Sequence, residues 1–286
     1  MAVDRDVEVG GNRLTITEAG TGGVPLLLLH GFTGARSDFE FWIDPLAALG
    51  YHVVAPDQRG HGASDKPEGE ARYSFTVFAS DALLLADQLG WDRFALLGHS
   101  MGGMVAQQIA IDAPDRLVAL VLMDTTGGAL SVDPDLRDLG AELARTVGTD
   151  AIADFLQGTD SPLTTDAYRR ACIADPSYEA RGDRNLRSAS GSMYAAMLLA
   201  IDVRADHAAL LADAVSCPTL VMVGAEDEAF LAPSRELAAA IGGAQLEVIE
   251  GGGHSPQFEA PEAAWSAVST FFAAHRASSG RSPSVP

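Results

Sequence analysis

Hydrophobic residues along this chain follow two patterns, short continuous apolar runs and longer stretches with a helical period. A continuous apolar run is typical of a strand that is buried on both faces of a parallel sheet. An alternating pattern at 7–9 and 13–18, with Gly10-Gly11-Asn12 between the two stretches, predicts a hairpin. The buried strands are predicted at 25–29, 51–55, 94–97, 117–123, 219–223 and 245–249.

Helical periodicity predicts the elements between these strands. Core helices are predicted at 74–89, 101–112, 233–241 and 261–275. One long gap without a strand-like run separates the strand at 117–123 from the strand at 219–223. Helical stretches are predicted in this gap around 135–147, 150–156, 165–174 and 190–201.

This order of elements predicts an α/β fold: a mostly parallel central sheet with helices on both faces and an inserted helical cap. Residues 1–126 and 214–276 would form the core, and residues 127–213 would form the cap. The segment 277–286 is rich in Ser, Pro and Gly, and we expect it to be disordered. In such a sheet the functional site lies at the carboxyl ends of the strands.

Composition narrows the classes of function. The 286 residues carry a formal net charge of −20, which disfavours binding to nucleic acid or to an anionic membrane surface. No apolar run reaches the ~18–20 residues of a membrane-spanning helix. Cys172 and Cys217 fit no metal-ligand spacing, and two free thiols suit a reducing cytoplasm. We therefore expect a cytoplasmic protein that acts on a small molecule.

The strongest chemical motif is Gly98-His99-Ser100-Met101-Gly102. It follows a predicted buried strand and opens a predicted helix, which is the context of a nucleophile elbow. The serine of such an elbow sits on a sharp turn, so its neighbours must be small. Ser100 is therefore the predicted nucleophile.

A serine hydroxyl needs a neighbouring base, and the base needs a third group to orient it. His254 lies on a glycine-rich loop after the last predicted strand, whereas the other six histidines lie in turns or less suitable segments. Asp227, after the strand at 219–223, completes the chain order Ser, Asp, His that is found on α/β sheets. The alternatives for the acid are Glu226, Glu228 and Asp124.

A tetrahedral intermediate also needs donors for its oxyanion. We predict the backbone N–H groups of Met101, directly after the nucleophile, and Phe32, after the first buried strand. The chain shows no metal-ligand cluster and no phosphate-binding glycine loop, so neither a metal nor an organic cofactor is expected.

The chain resembles the capped serine esterases and lactonases of the α/β-hydrolase superfamily, from about residue 14 to residue 272. The motifs that carry the resemblance are His30-Gly31-Phe32, Asp57-Gln58-Arg59-Gly60-His61-Gly62-Ala63-Ser64, Gly98-His99-Ser100-Met101-Gly102-Gly103, the strand at 218–224 with Asp227, and Gly253-His254. The resemblance implies that segment 57–64 braces the loops under the site. A serine at the elbow, where the epoxide hydrolases and haloalkane dehalogenases of this superfamily carry aspartate, implies acyl transfer.

Three hypotheses of function follow. The first is hydrolysis of a carboxylic ester or lactone of a small, largely apolar substrate through an acyl-enzyme on Ser100. The second is a carbon–carbon bond hydrolase or lyase that uses the same triad, and the third is a non-catalytic ligand receptor on this fold. Trp42, Tyr194 and Met197 are the candidate walls of the substrate pocket. The sequence leaves the oligomeric state open.

Overall fold

Eight strands form one sheet in a computed structural model that describes residues 1–157, 159, 161 and 163–276. The spatial order is β1-β2-β4-β3-β5-β6-β7-β8, and from β4 to β8 all neighbours are parallel. The pairs β1–β2 and β2–β4 are antiparallel. The strands are β1 Val3–Val9, β2 Asn12–Ala19, β3 Val24–Leu29, β4 Tyr51–Pro56, β5 Phe94–His99, β6 Leu117–Met123, β7 Thr219–Gly224 and β8 Gln245–Ile249.

The apolar strand runs supply two cores, one on each face of the sheet. In β3, Leu27 and Leu29 join one core while Leu26 and Leu28 join the other. Successive side chains of a strand point to opposite faces, so a strand covered on both faces reads as a continuous apolar run. The first three helices are α1 Glu40–Ala48, α2 Phe75–Gln88 and α3 Met101–Asp112. Buried residues of α2 and α3 belong to the first core, and those of α1 belong to the second.

Among the described residues between β6 and β7, the gap for which the sequence predicted a helical cap, there are six helices. They are α4 Pro134–Thr146, α5 Thr149–Leu156, α6 Asp166–Ala174, α7 Ser177–Arg187, α8 Gly191–Asp202 and α9 Ala208–Ala214. The sequence did not predict α7, which is mostly polar, or α9, which is only seven residues long. The cap boundaries at 127 and 213 stay predictions, and the tail at 277–286 lies outside the described residues.

The last three helices are α10 Glu228–Ala240, α11 Pro256–Glu259 and α12 Pro261–His275. The sequence placed the start of α10 at Pro233, because proline favours the first turn of a helix. The structure instead places Pro233 inside α10. Burial of Phe230, one turn earlier, favours the longer helix. None of the helices in the described part of the chain combines the length and apolarity required to cross a membrane.

Arg204 joins the end of the cap to the core. It is buried, and its guanidinium donates to the carbonyl oxygens of Gly127 at 2.7 Å and Thr126 at 3.1 Å. It also donates to Gln107 Oε1 at 2.9 Å, on α3. Burial lowers the pKa of Arg204 to about 10, so the group stays charged at neutral pH. Its removal would leave the buried Gln107 Oε1 without a donor, whereas the two carbonyl oxygens would each keep one other donor, Gln107 Nε2 for Thr126 and the His207 N–H for Gly127.

We expect Arg204→Met to lower the free energy of unfolding by about 1–3 kcal/mol, because the buried Gln107 Oε1 loses its donor and two carbonyl oxygens each lose one of two donors. Denaturant unfolding followed by circular dichroism measures this loss. Arg169→Met is the matched control, since Arg169 lies on the exposed face of α6 and pairs with Asp166 at 3.0 Å. Equal stability of the two variants would contradict the role assigned to Arg204.

Candidate active site

Ser100 occupies the sharp turn between β5 and α3. Its backbone has φ 54° and ψ −119°, an unfavourable conformation for a residue with a side chain. Glycine is required on both sides of the turn. A Cβ atom on Gly98 would lie 2.3 Å from the Gly102 carbonyl oxygen, and one on Gly102 would lie 2.2 Å from the Leu29 carbonyl oxygen. The close packing of these backbones holds the Ser100 hydroxyl above the sheet, at the floor of a cavity.

His254 connects Ser100 to Asp227 by two hydrogen bonds. Its Nε2 lies 3.0 Å from Ser100 Oγ, and its Nδ1 lies 2.7 Å from Asp227 Oδ2. Asp227 is fully buried, whereas His254 keeps some exposure toward the cavity. A carboxylate at Nδ1 fixes the proton on that nitrogen, so Nε2 faces the serine hydroxyl as an acceptor. The three predicted residues therefore meet in the arrangement of a serine–histidine–acid triad.

The structure brings none of the three alternative acids to hydrogen-bonding distance of His254. Glu226 turns to the cap, where Oε2 accepts the Ala167 N–H at the start of α6 at 2.7 Å. Glu228 is exposed at the start of α10. Asp124 is buried beside Asp227, and its Oδ1 accepts the Gly224 N–H at 2.8 Å.

Phe32 and Met101, the two predicted oxyanion donors, border the serine. Among the hydrogen bonds of the described residues, neither of their backbone N–H groups has an acceptor. His30 holds the Phe32 loop, because Nε2 accepts the Gln58 N–H at 3.0 Å and Nδ1 donates to the Gly31 carbonyl at 2.8 Å. Burial lowers the pKa of His30 well below its usual range, so this ring is neutral. Two free donors next to a serine hydroxyl are what an oxyanion requires.

Segment 57–64 braces the same loop, as the resemblance implied. The buried Asp57 carboxylate accepts the N–H groups of Arg36 and Ala63, each at 2.8 Å. Gln58 donates to the His30 carbonyl oxygen at 2.8 Å. His61 Nε2 lies 2.7 Å from the carbonyl oxygen of Phe32. These contacts lie beneath the cavity and fix the backbone that carries the Phe32 N–H.

Glu259, which the sequence reasoning missed, supports the loop that carries His254. Its Oε2 accepts the Gly253 N–H at 2.6 Å, and its Oε1 accepts the Tyr178 hydroxyl at 3.0 Å. Burial raises the pKa of Glu259 above its usual range. The sequence does contain a signal for this role: an acid lies five residues after His254, and Pro256 favours a helix start between the two. The short helix α11 brings Glu259 back to the loop that carries His254.

The cavity above Ser100 has a volume of about 370 Å³ and lies between the core loops and the cap. Its core side includes Phe32, Ser100 and His254, and its cap side includes Leu163 and helix α7. The described lining residues of the cap are Leu156, Thr159, Ser161, Leu163, Thr164, Tyr168, Tyr178, Arg181, Gly182 and Asn185. This volume suits a small organic ligand.

The three candidate pocket walls lie elsewhere, which corrects the expectation from sequence. Trp42 is buried on α1, in the core on the second face of the sheet. Met197 is fully buried and Tyr194 is nearly so, because α8 packs against α4 and the core. The Tyr194 ring contacts Phe32, with 4.8 Å between centroids, from outside the described cavity lining. The unpredicted helix α7 supplies a cavity wall instead.

Comparison with known proteins identifies the family. The family described as "alpha/beta hydrolase fold" matches residues 24–261 of this chain. The chain belongs to the α/β-hydrolase fold family.

The relatives of this α/β-hydrolase include enzymes with different reactions. Among solved structures, the enol-lactonase from Burkholderia xenovorans LB400 superposes with a TM-score of 0.81 and 28% identity, over 94% of this chain and 99% of that chain. A thermophilic esterase from Thermogutta terrifontis superposes with a TM-score of 0.78 and 29% identity, over 96% and 99%. The 2-hydroxymuconate semialdehyde hydrolase of Pseudomonas sp. (strain CF600) is 30% identical over 90% of this chain and 89% of its own length. Family membership supports hydrolase activity but does not identify which type of bond this chain cleaves.

We expect Gly102→Ala to destabilise this α/β-hydrolase by about 2–3 kcal/mol, because the new Cβ would overlap backbone atoms that cannot shift independently. Gly182→Ala is the matched control: Gly182 lies inside α7 with open space where a Cβ would project, and alanine should stabilise that helix by about 0.5–1 kcal/mol. Denaturant unfolding of both variants provides the comparison. A Gly102→Ala protein as stable as the wild type would show that the elbow has room to relax.

Proposed function

We propose that this chain is a serine hydrolase that cleaves a carboxylic ester or lactone of a small, uncharged substrate. The observation that carries the proposal is the continuous contact from Ser100 Oγ through His254 to the buried Asp227, at 3.0 Å and 2.7 Å. Free backbone donors beside the serine and a cavity of about 370 Å³ above it support the same conclusion. The esterase and lactonase structures among its relatives agree with this chemistry.

In the proposed reaction, Ser100 Oγ attacks the substrate carbonyl carbon while His254 Nε2 takes the hydroxyl proton. Asp227 stabilises the imidazolium that forms, and the N–H groups of Phe32 and Met101 bind the oxyanion. His254 then gives the proton to the departing alkoxide oxygen, which leaves an acyl group on Ser100. Water repeats the sequence with His254 as base, and the products are a carboxylic acid and an alcohol. For a lactone, both product groups stay on one molecule.

A second candidate, cleavage of a carbon–carbon bond, has support from one relative, the 2-hydroxymuconate semialdehyde hydrolase that matches most of the chain. The same serine and histidine could serve that reaction. In ester or lactone cleavage the leaving group is an alkoxide, which needs only one proton from His254. In carbon–carbon cleavage the leaving group is a carbanion, which the rest of the substrate must stabilise. The site therefore performs ester cleavage with the groups it contains, and we favour that reaction.

The charges around the cavity favour an uncharged substrate. Arg181 is the one arginine or lysine among the described lining residues, and Glu40 forms an ion pair with it. Glu259 and Asp38 also border the cavity, and burial raises the pKa of Asp38 to about 7, so this carboxyl becomes negative above neutral pH. An anionic substrate would meet these carboxylates without an unpaired cation to offset them.

We expect Ser100→Ala to lower ester hydrolysis by about 10⁴–10⁶-fold with the fold unchanged, because alanine keeps the same backbone turn and loses only the nucleophile. Turnover of p-nitrophenyl acetate, with circular dichroism to verify folding, measures both effects. Retention of more than about a tenth of the wild-type rate would remove Ser100 from the mechanism.

We expect Asp227→Asn to lower turnover by about 10²–10⁴-fold at neutral pH, since the amide can donate to Nδ1 and favour the wrong tautomer of His254. Glu226→Gln and Glu228→Gln should each cost much less. The exposed Glu228 provides the cleaner control, because Glu226 also contacts the cap. A Glu228→Gln protein as impaired as Asp227→Asn would contradict the assignment of the acid.

We expect kcat/KM for a neutral ester, p-nitrophenyl butyrate, to exceed kcat/KM for the anionic p-nitrophenyl hemisuccinate by about tenfold or more. A tenfold ratio is equivalent to about 1.4 kcal/mol of repulsion between the substrate carboxylate and the site. Glu40→Gln should narrow this difference by releasing Arg181 from its ion pair, while leaving the neutral ester unaffected. A wild-type preference for the anionic ester would overturn the proposed substrate class.

A further inference from the structure

Asp124, at the end of β6, is a buried acid that the proposed reaction does not use. Its side chain is fully buried, and its backbone has φ 45°. In the described part of the chain, Ser100 is the only other non-glycine residue with positive φ. A strained backbone conformation persists when the surrounding contacts require it. The contacts of Asp124 therefore indicate which interaction this backbone conformation serves.

The Asp124 carboxyl lies directly beside the triad acid. One oxygen of Asp124, one oxygen of Asp227 and one ring nitrogen of His254 lie within 4.8 Å of one another. Asp124 Oδ1 accepts from Gly224, and Asp227 Oδ2 pairs with His254. The remaining oxygens, Asp124 Oδ2 and Asp227 Oδ1, are buried and have no hydrogen-bond partner among the described residues.

Two unpaired oxygens on adjacent buried carboxyls cannot both carry charge at low cost, because like charges repel strongly away from water. Burial and the neighbouring charge of Asp227 raise the pKa of Asp124 well above its usual range. The other titratable groups facing this pair are His254, on the loop after β8, and the more distant Glu259. A single shared proton satisfies both oxygens: it makes one a donor and the other its acceptor.

We propose that Asp124 is a positioning residue that stays protonated and donates a hydrogen bond from Oδ2 to Oδ1 of Asp227. This inference rests on the proposed function of the triad. The bond fixes the plane of the Asp227 carboxylate so that Oδ2 faces His254. It also keeps the pair at one negative charge, so the imidazolium that forms during the reaction meets one full counter-charge instead of two.

Two substitutions test whether a side chain with a hydrogen-bond donor is required at this position. Asparagine suits a positive φ, can donate through its amide to Asp227, and can accept from Gly224 through its oxygen. Asp124→Asn should therefore keep kcat/KM within about threefold of wild type, with an unchanged acidic limb of the pH profile. Asp124→Gly suits the same backbone but lacks the donor, and it should lower kcat by about 10–100-fold with little change in KM.

The pH profile tests the protonation state. If Asp124 were ionised, Asp124→Asn would remove a negative charge beside the triad, and the acidic limb of kcat/KM would move to lower pH. That shift would overturn the proposal, as would an Asp124→Gly protein with wild-type kcat. Loss of activity on dialysis against a chelator, with recovery on adding a divalent cation, would also overturn it, because a cation would then hold the two carboxyls.

Infrared difference spectroscopy of wild type against Asp124→Asn tests the proton without any substrate. We expect a carboxylic acid C=O band at neutral pH in the wild type that disappears in the variant, and its absence would overturn the proposal. The rate at which a fluorophosphonate probe labels Ser100 gives a second readout that does not depend on the natural substrate. A wild-type protein that shows the band but neither hydrolyses esters nor reacts with the probe would refute the proposed function and leave the shared proton standing.

Discussion

The close packing of three backbone segments at the Ser100 turn is the constraint on which the site depends. Gly98 and Gly102 let β5, α3 and the end of β3 approach to distances that any side chain would prevent. This approach places the loop that carries Phe32 next to the serine hydroxyl. The proposed oxyanion donors, the proposed nucleophile and the floor of the cavity are thus fixed by one set of contacts, and His254 and Asp227 need only reach this point from the ends of later strands.

Sequence could predict this part because its requirements are local. A strand, a glycine, a serine and a helix within a few residues leave few other conformations, so Ser100 and its turn follow from the order of residues. The parallel sheet follows for a similar reason, since continuous apolar runs such as 219–223 indicate burial on both faces. His254 also lies where the pattern indicated, on a glycine-rich loop after β8.

The rest depends on contacts between segments that are distant along the chain. Helix α7 has few apolar residues to indicate burial, and long-range polar contacts such as the Tyr178 hydroxyl bond to Glu259 help to position it. Met197 and Tyr194 look equally suited to a core or a pocket, and only the packing of α8 on α4 decides between them. The choice among the acids near residue 227 likewise depends on where each side chain points: Glu226 to the cap, Glu228 to solvent and Asp227 to His254.

Glu226 links the position of cap helix α6 to the position of Asp227. It stands directly before Asp227 in the chain, yet its carboxylate holds the Ala167 N–H at the start of α6. A ligand large enough to push α6 outward would pull on the hydrogen bond between Ala167 and Glu226. Because Glu226 is bonded directly to Asp227, that pull would also displace the loop that orients His254. Oversized molecules would then react more slowly as well as bind less well, because accommodating them would disturb the hydrogen bond between Asp227 and His254.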